Sequence, residues 1–185
     1  MSTAIVVGSL ADVATRNGQD IAESFVNADA VIICDVSGSM MDRDSRGGKS
    51  RYDVALDELA TLQRSMPGKL AVIAFSGETL FVPGGAPPML GGGTDVAGAL
   101  KFAKMADVPG MRFFLISDGE PDSARDALDV AKTFKAHIDT IYVGSEARPT
   151  GREFLRKLAA ATGGQTATAD CVKELATVTT KLLRA

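Results

Sequence analysis

A doubly wound α/β domain, with a mostly parallel sheet of about six strands and helices on both faces, is the fold class this sequence predicts. Three observations carry it. Short, continuous apolar runs alternate with amphipathic stretches along almost the whole chain, the pattern of successive strand-helix-strand units. Two of the runs are separated only by Ser76-Gly77, which makes a hairpin and so an antiparallel strand at one edge. The 185 residues are 45% hydrophobic and 23% charged, enough for one domain with a sizeable core. That balance excludes intrinsic disorder and a disulfide-stapled miniprotein.

The elements follow in order. Leu10 to Phe25 reads as one or two short helices around Asn17-Gly18, a helical extension (residues 1–28) packed on the edge of a domain spanning 29–185. Ala30 to Cys34 is a β-branched run of the kind found in strands covered on both faces. Ser50 and Asp53 form a capping box ahead of a helix whose Ala55, Leu59, Leu62 and Met66 share a stripe. Lys69 to Phe75 is the next strand and Glu78 to Val82 its short antiparallel neighbour. A helix after Thr94 carries Val96, Ala99, Leu100 and Ala103, and Met111 to Ile116 is a further strand. Ser123 with Asp126 opens the next helix, Ile138 to Val143 forms a strand, and Thr150 with Glu153 starts a helix stopped by Gly163-Gly164. Gln165 to Thr168 is a weak last strand, and Asp170 caps a final helix through Val172, Leu175 and Leu182.

Several function classes are disfavoured at once. A net charge of -3 gives no electrostatic reason to expect nucleic acid. With no Trp and only 5% aromatics, a base-stacking platform is not expected either. Cys34 and Cys171 make no disulfide framework and read as buried small hydrophobes, which suits a reducing compartment. Met1 to Gly8 lacks a basic n-region, and its apolar stretch is too short for a signal or membrane segment. The expectation is a soluble, cytoplasmic protein with no membrane partner.

In a doubly wound sheet, sites form beyond the carboxyl ends of the strands. Three unusual loops fall there. The first strand runs into Asp35-Val36-Ser37-Gly38-Ser39-Met40, the turn Gly91-Gly92-Gly93 delivers Thr94 and Asp95 to a helix start, and another strand ends in Ser117-Asp118-Gly119-Glu120. Asp35, Ser37 and Ser39 alternate, so in extended chain their oxygens share a side. With Thr94 and Asp118 added, five oxygen ligands converge on one point. Such hard donors select Mg²⁺ or Mn²⁺ over zinc. Two carboxylates about 6 Å apart repel by roughly 3 kcal/mol at an effective dielectric of 20, and a divalent ion relieves this.

These residues carry a resemblance. Asp35-x-Ser37-x-Ser39, Thr94 and Asp118, within Asp-Val-Ser-Gly-Ser-Met, Gly-Gly-Thr-Asp and Ser-Asp-Gly-Glu-Pro, resemble the metal ion-dependent adhesion site of von Willebrand factor A domains, whose fold is Rossmann-like. The likeness runs from about Ala28 to the C-terminus. It implies that Ser37, Ser39 and usually Thr94 hold Mg²⁺ directly, with Asp35 and Asp118 acting directly or through water; Mn²⁺ or Ca²⁺ are substitutes. It further implies a non-enzymatic protein-binding module in which a partner's Asp or Glu completes the coordination. AAA-type ATPases and stress-response complexes are the partner classes that the resemblance suggests.

Plainer readings stand beside these. Asp95 is either a support for a ligand hydroxyl or a helix N-cap. Glu120 and Asp122 read as solvated loop charges, and Asp42 to Lys49 as a solvent-facing, partner-reading loop. Met40, Met41, Met89 and Leu90 either flank the ion or pack in the core. Pro83 to Gly93 is either a mobile rim or a connector. His137, the only histidine, precedes a strand and falls at the opposite end of the sheet from the carboxylates, which disfavours a Ser-His-Asp triad. The enzymatic alternative is Mg²⁺-dependent phosphoester hydrolysis with Asp35 as nucleophile.

Overall fold

The computed structural model describes residues 5–44, 46–145 and 149–168. Strands β1 (Ala30–Asp35), β2 (Leu70–Phe75), β3 (Thr79–Phe81), β4 (Arg112–Ser117), β5 (Ile138–Tyr142) and β6 (Thr166–Thr168) form one sheet, ordered β3-β2-β1-β4-β5-β6. Every neighbouring pair is parallel except β2 with β3. The chain moves outward from β1 to β2 and β3, then returns to β4 on the other side of β1. The strand order therefore reverses between β1 and β4, and loops leaving their carboxyl ends diverge around a crevice.

Around the sheet lie α1 (Leu10–Asn17), α2 (Ile21–Val26), α3 (Arg51–Ser65), α4 (Val96–Ala103), α5 (Ala124–Ala131) and α6 (Pro149–Thr162). Alternation along β1 and β4 divides the core. Val31, Ile33, Phe113 and Leu115 pack with Leu100, Ala127, Leu155 and Leu158 of α4, α5 and α6. Ile32, Cys34, Phe114 and Ile116 belong to the opposite cluster, with Val54, Ala55, Leu59 and Leu62 of α3. All six residues of β1 are buried, which explains the unbroken apolar run. Burying each such aliphatic or aromatic side chain contributes about 1.5–3 kcal/mol.

Local chemistry sets the helix ends. Ser50 accepts from the Asp53 amide, and Asp53 receives the Ser50 amide, so both halves of the capping box at α3 are made. Ser123 caps α5 in the expected way. Gly18 takes the left-handed conformation that separates α1 from α2, with φ of 64°. α6 is described from Pro149 and contains the expected Thr150; proline suits a first helical turn, where no amide is needed. The helix expected after Asp170, and Cys171 with it, lie outside the described residues.

The N-terminal segment is fastened to the sheet edge. Leu10 is buried in the core, Phe25 meets Phe81 of β3 edge-to-face at 5.4 Å, and the Val6 and Ala11 amides donate to Gly84 and Pro83 carbonyls. Pro83 to Gly93 is neither a free rim nor a plain connector. Tyr52 Oη donates to the Pro87 carbonyl at 2.6 Å and Gln63 Nε2 to that of Gly85 at 2.9 Å, so α3 holds this segment down.

Candidate functional site

β1 ends at Asp35, opposite Phe75 of β2. Ser37 remains extended, and a short 3-10 turn over Gly38–Met41 carries Ser39. The backbone thus turns within four residues of the strand end, bringing Ser37 Oγ within 3.3 Å of Ser39 Oγ. Asp35 is wholly buried. Its Oδ1 accepts the Ser37 amide at 2.9 Å and its Oδ2 the Ser117 hydroxyl at 2.6 Å. Burial pushes this carboxyl up to about 6; hydrogen bonds from Ser117 and Ser37 oppose the rise, and Asp118 nearby adds to it.

The second loop is stitched to the first. The Gly38 amide donates to the Gly92 carbonyl at 3.2 Å, and the Gly91 amide to that of Val36 at 3.0 Å. Gly91 and Gly92 both have φ above 70°, where a side chain is strained. Thr94 is buried, and its backbone is clasped by Asp122: the Thr94 amide donates to Asp122 Oδ1, and the Asp122 amide to the Thr94 carbonyl, both at 3.0 Å. Asp95 caps α4 by accepting the Gly98 amide at 2.8 Å, so the N-cap reading is the one realised. Asp122 is therefore no mere solvated charge; it joins the second loop to the third.

Asp118, on the third loop, is also buried. Its Oδ2 accepts from Arg51 at 2.6 Å, and its Oδ1 lies 3.4 Å from the Glu120 amide. Arg51 opens α3, yet its side chain is only 1% exposed. The guanidinium grips both carboxylate oxygens of Asp44 (2.9 and 2.7 Å), reaches Asp42 at 3.3 Å and touches the Ser39 carbonyl at 3.3 Å. The hydrogen bonds it donates to Asp44 and then to Asp118 outweigh burial and raise its pKa. The described side chains of residues 42–49 are solvent-exposed, as expected, and two of the loop's carboxylates also pair with this buried cation.

All five residues singled out from the sequence thus sit at one end of the sheet, Asp35 closing β1 and the others beyond the strand ends, four buried and Ser39 half-buried. Missed were Ser117, which orients Asp35, Asp122 and Arg51. A signal for Arg51 did exist. A cation at the first position of a helix opposes the helix dipole, so something nearby must compensate it. Of the four hydrophobic residues left between flanking the ion and core packing, Met40 is fully buried core and Met41 is about half exposed, while Met89 and Leu90 pack partly against the α3-side core. His137 sits at the amino end of β5 against the Thr162 carbonyl, remote from these loops as expected.

No protein-family model matches the sequence, and no curated protein matches it. Solved structures do. An aerotolerance-related membrane protein from Bacteroides fragilis superposes with a TM-score of 0.68 at 14% identity, over 84% of this chain and 98% of that one. A von Willebrand factor type A structure from Catenulispora acidiphila gives 0.57 at 21% identity, over 80% of this chain and 40% of that one. Manganese-loaded TRAP protein from Plasmodium vivax gives 0.51 at 18% identity, over 72% and 63%. The six-stranded order, its single antiparallel edge and the helices around it agree with the second of these.

The fold is a von Willebrand factor A fold. In this fold the loops after β1 and β4 and the loop before α4 form one rim. Among the described residues, no trio of His, Cys, Asp or Glu side chains is placed to hold a metal ion. The hydroxyls of Ser37 and Ser39 beside the Asp35 carboxylate form a hard-oxygen donor set, whose chemistry suits a divalent cation. Adjacent ligands of an octahedral ion at about 2.1 Å lie about 3 Å apart, close to the Ser37–Ser39 separation.

Proposed function

We propose that the chain is a divalent-cation-dependent protein-binding module, with Ser37, Ser39 and Thr94 as direct ligands and Asp35 and Asp118 as direct or water-linked ones. The observation that carries this reading is the meeting of two hydroxyls and two buried carboxylates on loops already joined by Gly38–Gly92, Thr94–Asp122 and Asp35–Ser117 bonds. Bound Mg²⁺, or Mn²⁺ in its place, would supply a Lewis-acidic position for an Asp or Glu of a partner. The chain's own residues do the rest. Ser117 and the Ser37 amide aim Asp35, Asp122 holds the Thr94 backbone, and neutral hydroxyls leave the site's positive charge for the incoming carboxylate. The resemblance favours a cytoplasmic role beside an AAA-type ATPase or a stress-response assembly. Among the described residues, no helix is long and apolar enough to cross a membrane.

The phosphohydrolase alternative fits less well. A nucleophile must be reachable by its substrate, whereas the Asp35 side chain is wholly buried. Calorimetry with Mg²⁺ on the wild type, Thr94→Ala and Asp118→Ala tests the proposal. Wild type is expected to bind, and at a concentration equal to its dissociation constant the ion stabilises by about 0.4 kcal/mol. Both variants are expected to lose that response. Identical responses in all three would remove the site, and phosphoester turnover abolished by Asp35→Asn would restore the alternative.

A further inference from the structure

We infer that the chain pairs with a second copy of itself through an apolar groove at the β3 margin, α2 of each copy lying on α4 of the other. The groove holds about 500 Å³. Ile73 and Phe81 form its floor and Phe25 and Val26 of α2 one wall. Phe102 and Met105 form the other wall, on α4 and the 3-10 turn Lys104–Ala106 that continues it. Every side chain lining it is apolar, so nothing in it would orient a small polar ligand. Val26 is 80% exposed and Met105 76%, the two highest values among the large apolar side chains described. Each wall therefore carries an apolar crest that a facing apolar surface would take out of water.

The charges on the walls identify that surface. Glu23 lies one helical turn before Val26, and Lys101 one turn before Met105, so the two crests are flanked by charges of opposite sign. Both charges are exposed, and neither forms an ion pair among the described residues. Neighbouring charges are engaged elsewhere. Asp20 caps α2 by accepting the Ala22 amide, and Lys104 is drawn to the Thr133 carbonyl, Asp107 and the Phe134 ring. One acidic wall and one basic wall make the face complementary to itself. A two-fold axis along the groove sets the acidic wall of each copy on the basic wall of the other, so the same contact forms twice. Two Glu23–Lys101 pairs then fix the direction of pairing, while the crests and grooves supply the buried apolar area.

Sedimentation equilibrium of the full chain in EDTA tests the pairing without involving the rim. The wild type is expected to dimerise reversibly with a dissociation constant on the order of 100 μM, as small interfaces do. Val26→Glu should leave it monomeric at concentrations up to about tenfold above that value. Glu23→Lys and Lys101→Glu each put like charges into both contacts, and each should weaken the dimer by about tenfold. Combining the two in one chain, or mixing the two single variants in equal amounts, restores opposite charges at both contacts. Either should return the dissociation constant to within about threefold of the wild type. All of these positions are exposed, so each variant is expected to fold. A wild type that stays monomeric throughout, or a dimer indifferent to Val26→Glu, would overturn the pairing. Single variants that weaken the dimer without recovery in the double variant and the mixture would overturn the placing of α2 on α4.

Discussion

Asp35 concentrates the electrostatics of the rim in one side chain. Its carboxyl is raised by burial to about 6, above the ordinary value of 3.8, so the fold disfavours its charged form. The stability tied to this group is therefore fully present below the unfolded pKa and is lost as pH rises through the folded one. In EDTA, unfolding free energy should increase by about 1 kcal/mol between pH 7 and pH 5 from this group alone. Asp35→Asn should level that part of the profile, and saturating Mg²⁺, which favours the carboxylate, should do the same for the wild type. Urea unfolding at pH 5, 6 and 7 measures both; a slope that survives in Asp35→Asn would assign it elsewhere. Cys34, one residue earlier, illustrates the inert case. Burial, and then the neighbouring Asp35, push its thiol far above the usual range, so it behaves as a small core hydrophobe.

The start of α6 bears directly on the third loop. A Cβ on Gly151 would lie 2.1 Å from the Asp118 carbonyl, and one on Gly119, where φ is +75°, would lie 2.2 Å from the Gly151 carbonyl. Gly151→Ala should cost about 1–3 kcal/mol by forcing helix and loop apart, and should shrink the Mg²⁺-induced rise in Tm. Thr150→Ala, at an exposed neighbouring position, should leave both nearly unchanged; equal effects would deny the close approach any role. Such contacts explain what could be read in advance and what could not. The strands were legible because a doubly covered strand must be apolar throughout, as Ala30 to Cys34 is. The helix starts were legible because Ser50, Ser123 and Asp95 are local caps. Arg51 and Asp122 were not, because each acts through a partner 67 or 28 residues away, and the residue type alone suggests a surface. Likewise Met40 could go either way until the turn after Ser37 directed it inward.

At the level of the whole molecule, the sheet grades from a dry centre to half-buried margins. β1 and β2 are buried along their whole length, as is β4 after Arg112, whereas all three residues of β3 and of β6 are only partly covered. Amide hydrogen exchange should be slowest in β1, β2 and β4, and faster in β3, β6 and α2. Adding Mg²⁺ should slow exchange at 36–39, 91–95 and 118–122 without changing the central strands; uniform slowing would point to a global effect instead of one rim. The same grading has a consequence for assembly. At the β3 margin a strand of three residues offers few free amides and carbonyls for another chain to add itself to the sheet. Along that margin backbone zippering has little to grip, which leaves side chains at the sheet's end better placed to choose companions there.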